Sequence, residues 1–242
     1  MYAIETKDLC KSYNTLKAVD KLNLTVNEGE LFSLLGVNGA GKTTTIKILC
    51  GLTKESDGEA FICGKSIDTN RDEIKRIINV SPQETAVAPN LSVRENLELI
   101  AGIYGYKGDS LVKRVEQVAK QFSLDEVMSR RAKTLSGGWQ RRLSIAMAII
   151  SEPKVLFLDE PTLGLDVLAR RELWRVIKDL KEIVTIVLTT HYMEEAQELS
   201  DRIGIMAKGK LLTVDTPQKL MEKTSSKDIE EAFVKIAEGE VK

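Results

Sequence analysis

A glycine-rich segment carries the strongest chemical signal in the sequence. Gly36 to Thr43 read Gly-Val-Asn-Gly-Ala-Gly-Lys-Thr and fit the pattern Gly-x4-Gly-Lys-Ser/Thr. The glycines let the backbone turn its N–H groups onto a polyphosphate, and a helix beginning near Lys42 would aim its positive dipole end at the same charge. Lys42 could reach the β- and γ-phosphates, and the Thr43 hydroxyl could bind magnesium. The segment therefore predicts a phosphate-binding loop.

A second chemical signal is a pair of carboxylates at the end of an apolar run. Residues 155–158 are apolar, and Asp159 and Glu160 follow them directly. Acids often end buried strands, but here a phosphate loop is also present. Since ligands of parallel α/β folds bind at the carboxyl ends of the strands, we expect these side chains near the loop. Asp159 would hold the water shell of a magnesium ion, and Glu160 would orient or deprotonate an attacking water.

The elements that must position these groups follow from hydrophobic patterning. Apolar runs predict strands in the first and last thirds of the chain, whereas the middle shows helical spacing and a Ser92–Glu95 capping box. Strands that alternate with helices predict a mostly parallel sheet covered on both faces, with the helical middle inserted between its strands. The predicted strands are 2–9, 22–26, 31–35, 60–63, 155–158, 183–188, 203–206 and 211–214. The predicted helical segments are 42–50, 111–122, 143–150, 169–181 and the apolar stripe of Ile229, Ala232, Phe233 and Ile236.

Composition excludes several classes of protein. Lysine and arginine number 35 against 36 acidic residues, so the net charge of −1 argues against a nucleic-acid partner. The longest apolar run, Ile145 to Ile150, is far shorter than a membrane-spanning helix, and charged residues occupy the place of a signal peptide's apolar stretch. The 3 cysteines form no Cys-x-x-Cys pair, so we expect free thiols rather than disulfides or a zinc site.

The segment Leu135-Ser-Gly-Gly-Trp-Gln-Arg-Arg142 resembles the signature of the ATP-binding-cassette (ABC) ATPases. The resemblance covers essentially the whole chain and implies an ATP-binding domain over residues 4–234. It implies a P-loop NTPase core of α/β class with a mostly parallel sheet, an antiparallel β subdomain and an inserted α-helical subdomain. The implied bounds are 1–82 and 151–215 for the core, 83–150 for the helical subdomain and 216–242 for the tail.

The resemblance also assigns site residues. Tyr13 matches an aromatic that stacks on adenine, Gln83 matches a glutamine that links the nucleotide site to the helical subdomain, and His191 matches the switch histidine. Glu160 and His191 are the implied catalytic residues, and Thr43, Gln83 and Asp159 are the implied Mg²⁺ ligands. The implied ATP-binding residues are Tyr13, Gly36, Val37, Asn38, Gly39, Ala40, Gly41, Lys42, Thr43, Thr44, Gln83, Ser136, Gly137, Gly138 and Asp166.

In this family two such domains close head to tail over two ATP molecules, and each signature completes the site of the other subunit. The resemblance therefore implies a second ATP-binding subunit, in a homodimer or a heterodimer. Trp139 departs from the commoner glutamine or methionine, but Ser136, Gly137 and Gly138 keep the groups expected to contact phosphate.

The leading interpretation is a cytoplasmic ATPase subunit of a membrane transporter, peripheral on the inner face of the membrane and bound to a membrane-spanning permease. Gly164-Leu-Asp166 and the tail segment 229–235 resemble the multidrug and sodium exporter branch.

The alternative is a soluble single-cassette ATPase, such as an iron–sulfur cluster assembly ATPase. Chromosome and repair members carry a long heptad insertion that is absent here, and translation-factor members carry two cassettes. A P-loop kinase would not explain the signature. The transported substrate does not follow from the sequence.

Overall fold

The strand that leads into the phosphate loop lies in the middle of a mostly parallel sheet. The computed structural model describes residues 1–239, so residues 240–242 of the predicted tail lie outside the described residues. In chain order the strands are β1 (Tyr2–Tyr13), β2 (Leu16–Asn27), β3 (Leu31–Leu35), β4 (Asp57–Ile62), β5 (Lys65–Ser66), β6 (Ile78–Ser81), β7 (Val155–Asp159), β8 (Thr185–Thr190), β9 (Arg202–Ala207) and β10 (Lys210–Asp215).

The strands of residues 1–239 form two sheets. The larger sheet has the order β10-β9-β3-β8-β7-β6, and all its neighbours are parallel except β10, which pairs antiparallel with β9. The smaller sheet has the order β2-β1-β4-β5 and is antiparallel. This arrangement confirms the predicted fold class.

Helices and the antiparallel sheet cover opposite faces of the parallel sheet. On β7, Leu156 and Leu158 pack with the helices α3 to α6, whereas Val155 and Phe157 pack with α1 and the antiparallel sheet. Burial on both faces explains the unbroken apolar runs of β3 and β7. The helices of residues 1–239 are α1 (Lys42–Leu49), α2 (Arg71–Lys75), α3 (Val93–Ile103), α4 (Gly108–Gln121), α5 (Gly137–Ile149), α6 (Val167–Leu180), α7 (Met193–Leu199), α8 (Pro217–Thr224) and α9 (Ile229–Glu238).

Several strands differ from the sequence prediction. The hairpin of β1 and β2 extends to the pair Tyr13↔Leu16, well beyond the predicted bounds. Both residues are exposed, so the hairpin tip lacks the apolar alternation that marks a half-buried strand. β8 begins at Thr185 rather than at residue 183 and ends on two buried threonines. β6 was missed, because it is short and carries the polar residue Asn79.

The helices α3, α4 and α5 lie between β6 and β7, as the predicted insertion requires. The predicted capping box is present: Glu95 N donates to Ser92 Oγ at 3.2 Å, and Ser92 N donates to Glu95 Oε2 at 2.7 Å. The predicted segment 143–150 is the second part of α5, which begins at Gly137 inside the signature.

The tail helices pack on the end of the parallel sheet. Ile229, Ala232, Phe233 and Ile236 are buried, as the apolar stripe predicted. Ile229, Phe233 and Ile236 form a hydrophobic cluster with Leu35 of β3 and with the strand β9. Within residues 1–239 no helix is both long and apolar enough to cross a lipid bilayer.

Candidate functional site

A cavity of about 810 Å³ opens where the hairpin of β1 and β2 meets the carboxyl ends of the parallel strands. Its wall combines the phosphate loop, an aromatic ring, two lysines outside the loop and the acidic end of β7. The lining residues are Tyr13, Leu16, Lys17, Ala18, Asn38, Gly39, Ala40, Gly41, Lys42, Thr43, Thr44, Gln83, Glu160, Leu163, His191 and Lys208.

The phosphate loop connects β3 to α1 and packs closely on its neighbours. Gly41 has φ 105°, and a Cβ there would lie 2.4 Å from the carbonyl oxygen of Ala18. A Cβ on Gly36 would lie 2.5 Å from the carbonyl oxygen of Met206. Only glycine fits these two positions, so the loop glycines serve the packing as well as the backbone turn.

Lys42 is buried at the start of α1 and is held by the loop itself. Its ammonium donates to the Gly36 carbonyl at 2.7 Å and to the Val37 carbonyl at 3.4 Å. It also forms an ion pair of 3.2 Å with Oε1 of Glu160. Gly36 and Val37 do not line the cavity, and their carbonyls face Lys42.

Asp159 accepts hydrogen bonds from two threonine hydroxyls, one on α1 and one on β8. Its Oδ1 accepts from Thr43 Oγ1 at 3.0 Å and from Thr189 Oγ1 at 2.5 Å. A threonine oxygen and a carboxylate oxygen are hard ligands of the kind Mg²⁺ prefers. Among residues 1–239 no group of three or more His, Cys, Asp and Glu side chains could hold a metal ion.

Glu160 stands between Lys42 and His191 and uses both of its oxygens. Oε1 faces Lys42, and Oε2 accepts from Nδ1 of His191 at 2.7 Å. The backbone of Glu160 is in the left-handed region with φ 49°, and its N–H donates to the carbonyl of Thr189 at 3.0 Å. A non-glycine residue in this region is strained, and such strain is typical of functional sites.

The remaining predicted ATP-binding residues lie elsewhere. Ser136, Gly137, Gly138 and Asp166 are absent from the lining of the cavity. Ser136 precedes α5 with an exposed side chain that caps no backbone N–H, whereas Asp166 caps α6 by accepting from the N–H groups of Leu168 and Ala169. The structure brings the loop, Tyr13, Gln83, Glu160 and His191 together and leaves the signature on a separate surface.

Trp139 lies on α5 beside the signature. Its ring is half-buried and packs against the hydrophobic core that the helices α3 to α6 form on the parallel sheet. The Arg142 guanidinium lies 4.9 Å from the ring centroid. Arg142 also pairs with Glu172 of α6. The unusual tryptophan therefore takes part in the contact between α5 and α6.

Sequence reasoning missed several residues of the site. Lys17 and Lys208 line the cavity, and Thr189 binds Asp159. The position of Thr189 at the carboxyl end of a parallel strand is a signal that could have found it. The two lysines gave no such signal. Lys208 lies in the turn between β9 and β10, and only the fold places this turn against the phosphate loop, where Gly209 N donates to the carbonyl of Ala40 at 3.0 Å.

Arg141 was also missed. Its side chain is buried, and it donates to the backbone carbonyls of Pro82 and Gln83, so α5 holds the segment that carries Gln83. An arginine inside the signature was visible in the sequence, but its partners lie 59 and 58 residues away.

A phosphate loop between a buried parallel strand and a helix, opposite the acidic end of a neighbouring strand, defines a nucleotide-binding protein of the P-loop class. The family model of ABC transporters matches residues 19–163. The chain therefore belongs to the ABC transporter family.

Relatives and a solved structure agree with this assignment. The probable multidrug ABC transporter ATP-binding protein YbhF of Escherichia coli is 36% identical over 96% of this chain, which spans 41% of that relative's length. The daunorubicin/doxorubicin resistance ATP-binding protein DrrA of Streptomyces peucetius is 38% identical over 93% of this chain and 68% of its own length. A dimeric ATP-binding cassette, MJ0796 in a post-hydrolysis state with ADP and Pi, superposes with a TM-score of 0.78 and 28% identity over 88% of this chain and 98% of that chain.

Proposed function

We propose that this chain is the ATP-binding and hydrolysing subunit of an ABC transporter and powers export through a separate membrane subunit. One observation carries the proposal: a single cavity joins the phosphate loop, Tyr13, Gln83 and the pair of Glu160 with His191. The relatives YbhF, a probable multidrug ABC transporter ATP-binding protein, and DrrA, a drug-resistance ATP-binding protein, support transport rather than cluster assembly.

Each part of the cavity has a role in binding MgATP. Tyr13 stacks on the adenine, while the N–H groups of the loop from Gly36 to Thr44 and the ammonium of Lys42 compensate the charge of the phosphates. Thr43, Asp159 and Gln83 would supply oxygen ligands for Mg²⁺, and the bound ion would neutralise charge on the phosphates. Lys42 is held by Glu160 and two carbonyls, so it stays at the mouth of the loop before any phosphate arrives.

Glu160 is the catalytic carboxylate, and His191 positions it. When Lys42 turns to a phosphate, Oε1 of Glu160 loses its partner and becomes free to accept a hydrogen bond from water. His191 keeps Oε2 in place, so the carboxylate cannot rotate away. Glu160 then orients the attacking water and accepts its proton.

The site is completed by a second subunit of the same type. Ser136, Gly137 and Gly138 lie at a helix start on a surface apart from the cavity, where they can serve the nucleotide of another chain. Asp166 and the exposed Val167 and Leu168 lie between Leu165 and Ala169, whose side chains approach Gly137 and Gly138. The dimeric state of the solved cassette with ADP and Pi supports this arrangement.

The chain sits peripherally on the cytoplasmic face of the membrane, held by its permease. The docking surface is the segment from Gln83 to Asn90, which follows β6 and precedes α3. Glu84, Ala86, Pro89 and Asn90 are exposed there, next to a residue of the nucleotide cavity. Movement at the nucleotide can therefore reach the permease over a short path.

Co-purification from detergent-solubilised membranes tests the transporter proposal. The chain is co-expressed with a candidate membrane subunit, and we expect the two to remain together. Ala86→Arg should release the chain into the soluble fraction, because a long cation would disrupt the docking surface. Ile183→Arg is the matched control. Ile183 is also apolar and exposed, but it precedes β8 and so lies at the amino-terminal ends of the parallel strands, away from the docking segment that follows β6. Recovery of the chain alone, in the absence of any substitution, would favour a soluble ATPase.

A further inference from the structure

The inserted helical segment contains a buried guanidinium that points at the main chain beside the nucleotide cavity. Arg141 of α5 is 5% exposed. Its Nη1 donates to the Pro82 carbonyl at 2.7 Å, and its Nη2 donates to the Gln83 carbonyl at 2.5 Å. Within residues 1–239 no carboxylate lies at ion-pair distance from it. Two carbonyls therefore hold a charge that is costly to bury.

The geometry of this contact is specific for arginine. The guanidinium is planar and presents its N–H groups as a rigid fork, so it fixes two adjacent carbonyls at once, whereas a lysine ammonium is a single point of donation. Burial lowers the pKa of Arg141, while Asp159 and Glu195 oppose this shift. The side chain stays charged, because an arginine pKa lies far above neutral pH.

A second hydrogen bond ties the same two elements together. Ser144 Oγ, one turn further along α5, lies 2.9 Å from Ser81 Oγ at the end of β6. The chain leaving β6 is thus attached to α5 at Ser81, Pro82 and Gln83 in succession. The signature residues Ser136 to Gly138 begin the same helix. Because a helix is stiff, displacement of Gln83 displaces the signature as well.

We propose that Arg141 is the positioning residue that couples Gln83 to the signature helix within one chain. The state of the nucleotide cavity then reaches the surface that serves the second subunit, and closure of that surface acts back on Gln83. The coupling rests on the proposed function insofar as it takes Gln83 to respond to a bound nucleotide. Arg141 does not itself line the cavity and acts only through the main chain of Pro82 and Gln83.

Hydrogen–deuterium exchange of the monomeric chain, with and without a non-hydrolysable ATP analogue, tests this coupling. Size-exclusion chromatography at the working concentration verifies that the chain is monomeric. In the wild type we expect the analogue to slow exchange in two segments, the phosphate loop 36–44 and the start of α5 at 136–145. Arg141→Lys should keep the slowing in the loop and lose it in α5. Arg141→Gln, which can still donate one hydrogen bond, should lose it partly.

Arg114→Lys is the matched control. Arg114 is also buried, and it donates to the carbonyls of Ile149 and Ile150 at the other end of α5. Its replacement costs similar hydrogen bonds without touching Gln83, so it should leave the response of residues 136–145 unchanged. ATPase assays add a second readout: kcat should fall about tenfold in Arg141→Lys, the loss expected for one charge-assisted hydrogen bond, with KM nearly unchanged.

The outcomes separate the two proposals. If the analogue does not slow exchange in the loop of the wild type, the proposed nucleotide site is wrong. If the loop responds but α5 responds equally in the wild type and Arg141→Lys, the coupling is wrong and the nucleotide site stands. If Arg114→Lys loses the response of α5 as well, Arg141 only packs the helix, and the proposal is overturned.

Discussion

Glu160 holds a lysine and a histidine with its two carboxylate oxygens while its own backbone is strained. At the scale of single residues, the site therefore consists of groups that depend on one another for their burial. Lys42 and Glu160 are both 5% exposed, so each would be costly to leave without its partner. Substitutions here change stability and activity together, and the two effects must be measured separately.

We expect Lys42→Ala to abolish binding of MgATP and to destabilise the fold by roughly 2 kcal/mol, less than the ~3–5 kcal/mol of a fully enclosed pair because the cavity admits water. The lost ammonium compensated the charge of the phosphates and also that of Glu160. Adding Glu160→Gln should recover most of the stability without recovering binding. Urea denaturation and binding of a fluorescent ATP analogue measure the two effects. Wild-type affinity in Lys42→Ala would contradict the assignment of the phosphate site.

A second buried carboxyl makes stability depend on pH. Burial raises the pKa of Glu195 above its ordinary 4.5, although the N–H of Trp174 and the nearby hydroxyls of Thr190 and Thr162 oppose the shift. Trp174 Nε1 donates to Oε1 at 3.0 Å, and Oε2 has no hydrogen-bond partner among the described residues. The folded chain therefore binds this proton more tightly than the unfolded chain, so stability from this group falls as the pH rises above 4.5.

Glu195→Gln removes the titration and keeps the shape. We expect the variant to gain stability relative to the wild type as the pH rises from 5 to 8, because only the wild type then carries the cost of a buried carboxylate. Thermal denaturation at several pH values measures the difference in Tm. Parallel curves for the two proteins would show that Glu195 is ionised in the fold at every pH tested.

At the scale of elements, the turn between β9 and β10 joins the two ends of the nucleotide cavity. Gly209 N donates to Ala40 of the phosphate loop at 3.0 Å, and Asp20 N of β2 donates to the Gly209 carbonyl at 2.8 Å. Lys208 of the same turn lines the cavity. The turn thus sets the spacing between the loop, which we propose holds the phosphates, and the hairpin of β1 and β2, which carries Tyr13.

Gly209→Ala tests this arrangement against Gly64→Ala. Both glycines have left-handed φ angles, 80° and 75°, so alanine adds backbone strain of about 1–2 kcal/mol at either position. Only at Gly209 would the new Cβ also meet neighbours, the carbonyl oxygens of Lys17 at 3.0 Å and Ala18 at 3.1 Å. We expect both variants to lose stability, Gly209→Ala somewhat more than Gly64→Ala, with a severalfold loss of nucleotide affinity in Gly209→Ala alone. Unchanged affinity in both variants would show that the turn does not set the spacing between the phosphate loop and the hairpin.

At the scale of the whole molecule, the predicted ATP-binding residues fall on two surfaces. The cavity carries the loop, Gln83, Glu160 and His191, whereas the signature and Asp166 lie at the starts of α5 and α6. A Cβ on Gly138 would lie 3.0 Å from Cβ of Ala169, so this glycine permits α5 and α6 to approach closely and present one surface. In the shared site that we propose, one chain offers each half of a site once, and a second chain supplies the other half.

We expect Glu160→Gln to bind ATP and form a stable dimer, because the amide keeps the size of the side chain but cannot accept a proton from water. Closing the interface removes water from the phosphates and strengthens the donors at Ser136 and the start of α5. Adding Ser136→Arg should abolish the dimer, whereas Ser129→Arg, at another exposed serine of the helical segment, should not. Size-exclusion chromatography with sodium ATP distinguishes these cases. A monomer of Glu160→Gln at saturating ATP would contradict the shared site.

The sequence by itself determined the features that depend on neighbouring residues. The loop with its glycines, the capping box at Ser92 and the unbroken apolar runs of β3 and β7 are local patterns, and each predicted its element correctly. Local patterns were weaker where an element is exposed or short. The tip of the hairpin of β1 and β2 and the strand β6 were missed, because pairing with another strand, and not their own composition, stabilises them.

The tertiary structure alone decided how distant groups share their charges and hydrogen bonds. Thr43 and Asp159 are 116 residues apart, yet they meet because β3 and β7 both pair with β8 and end at the same edge of the sheet. Three other features have the same origin. Glu160 contacts both Lys42 and His191, Arg141 donates to the Gln83 carbonyl, and the signature lies apart from the cavity. Each depends on the order and register of the strands, which arise from packing over the whole chain and leave no pattern between adjacent residues.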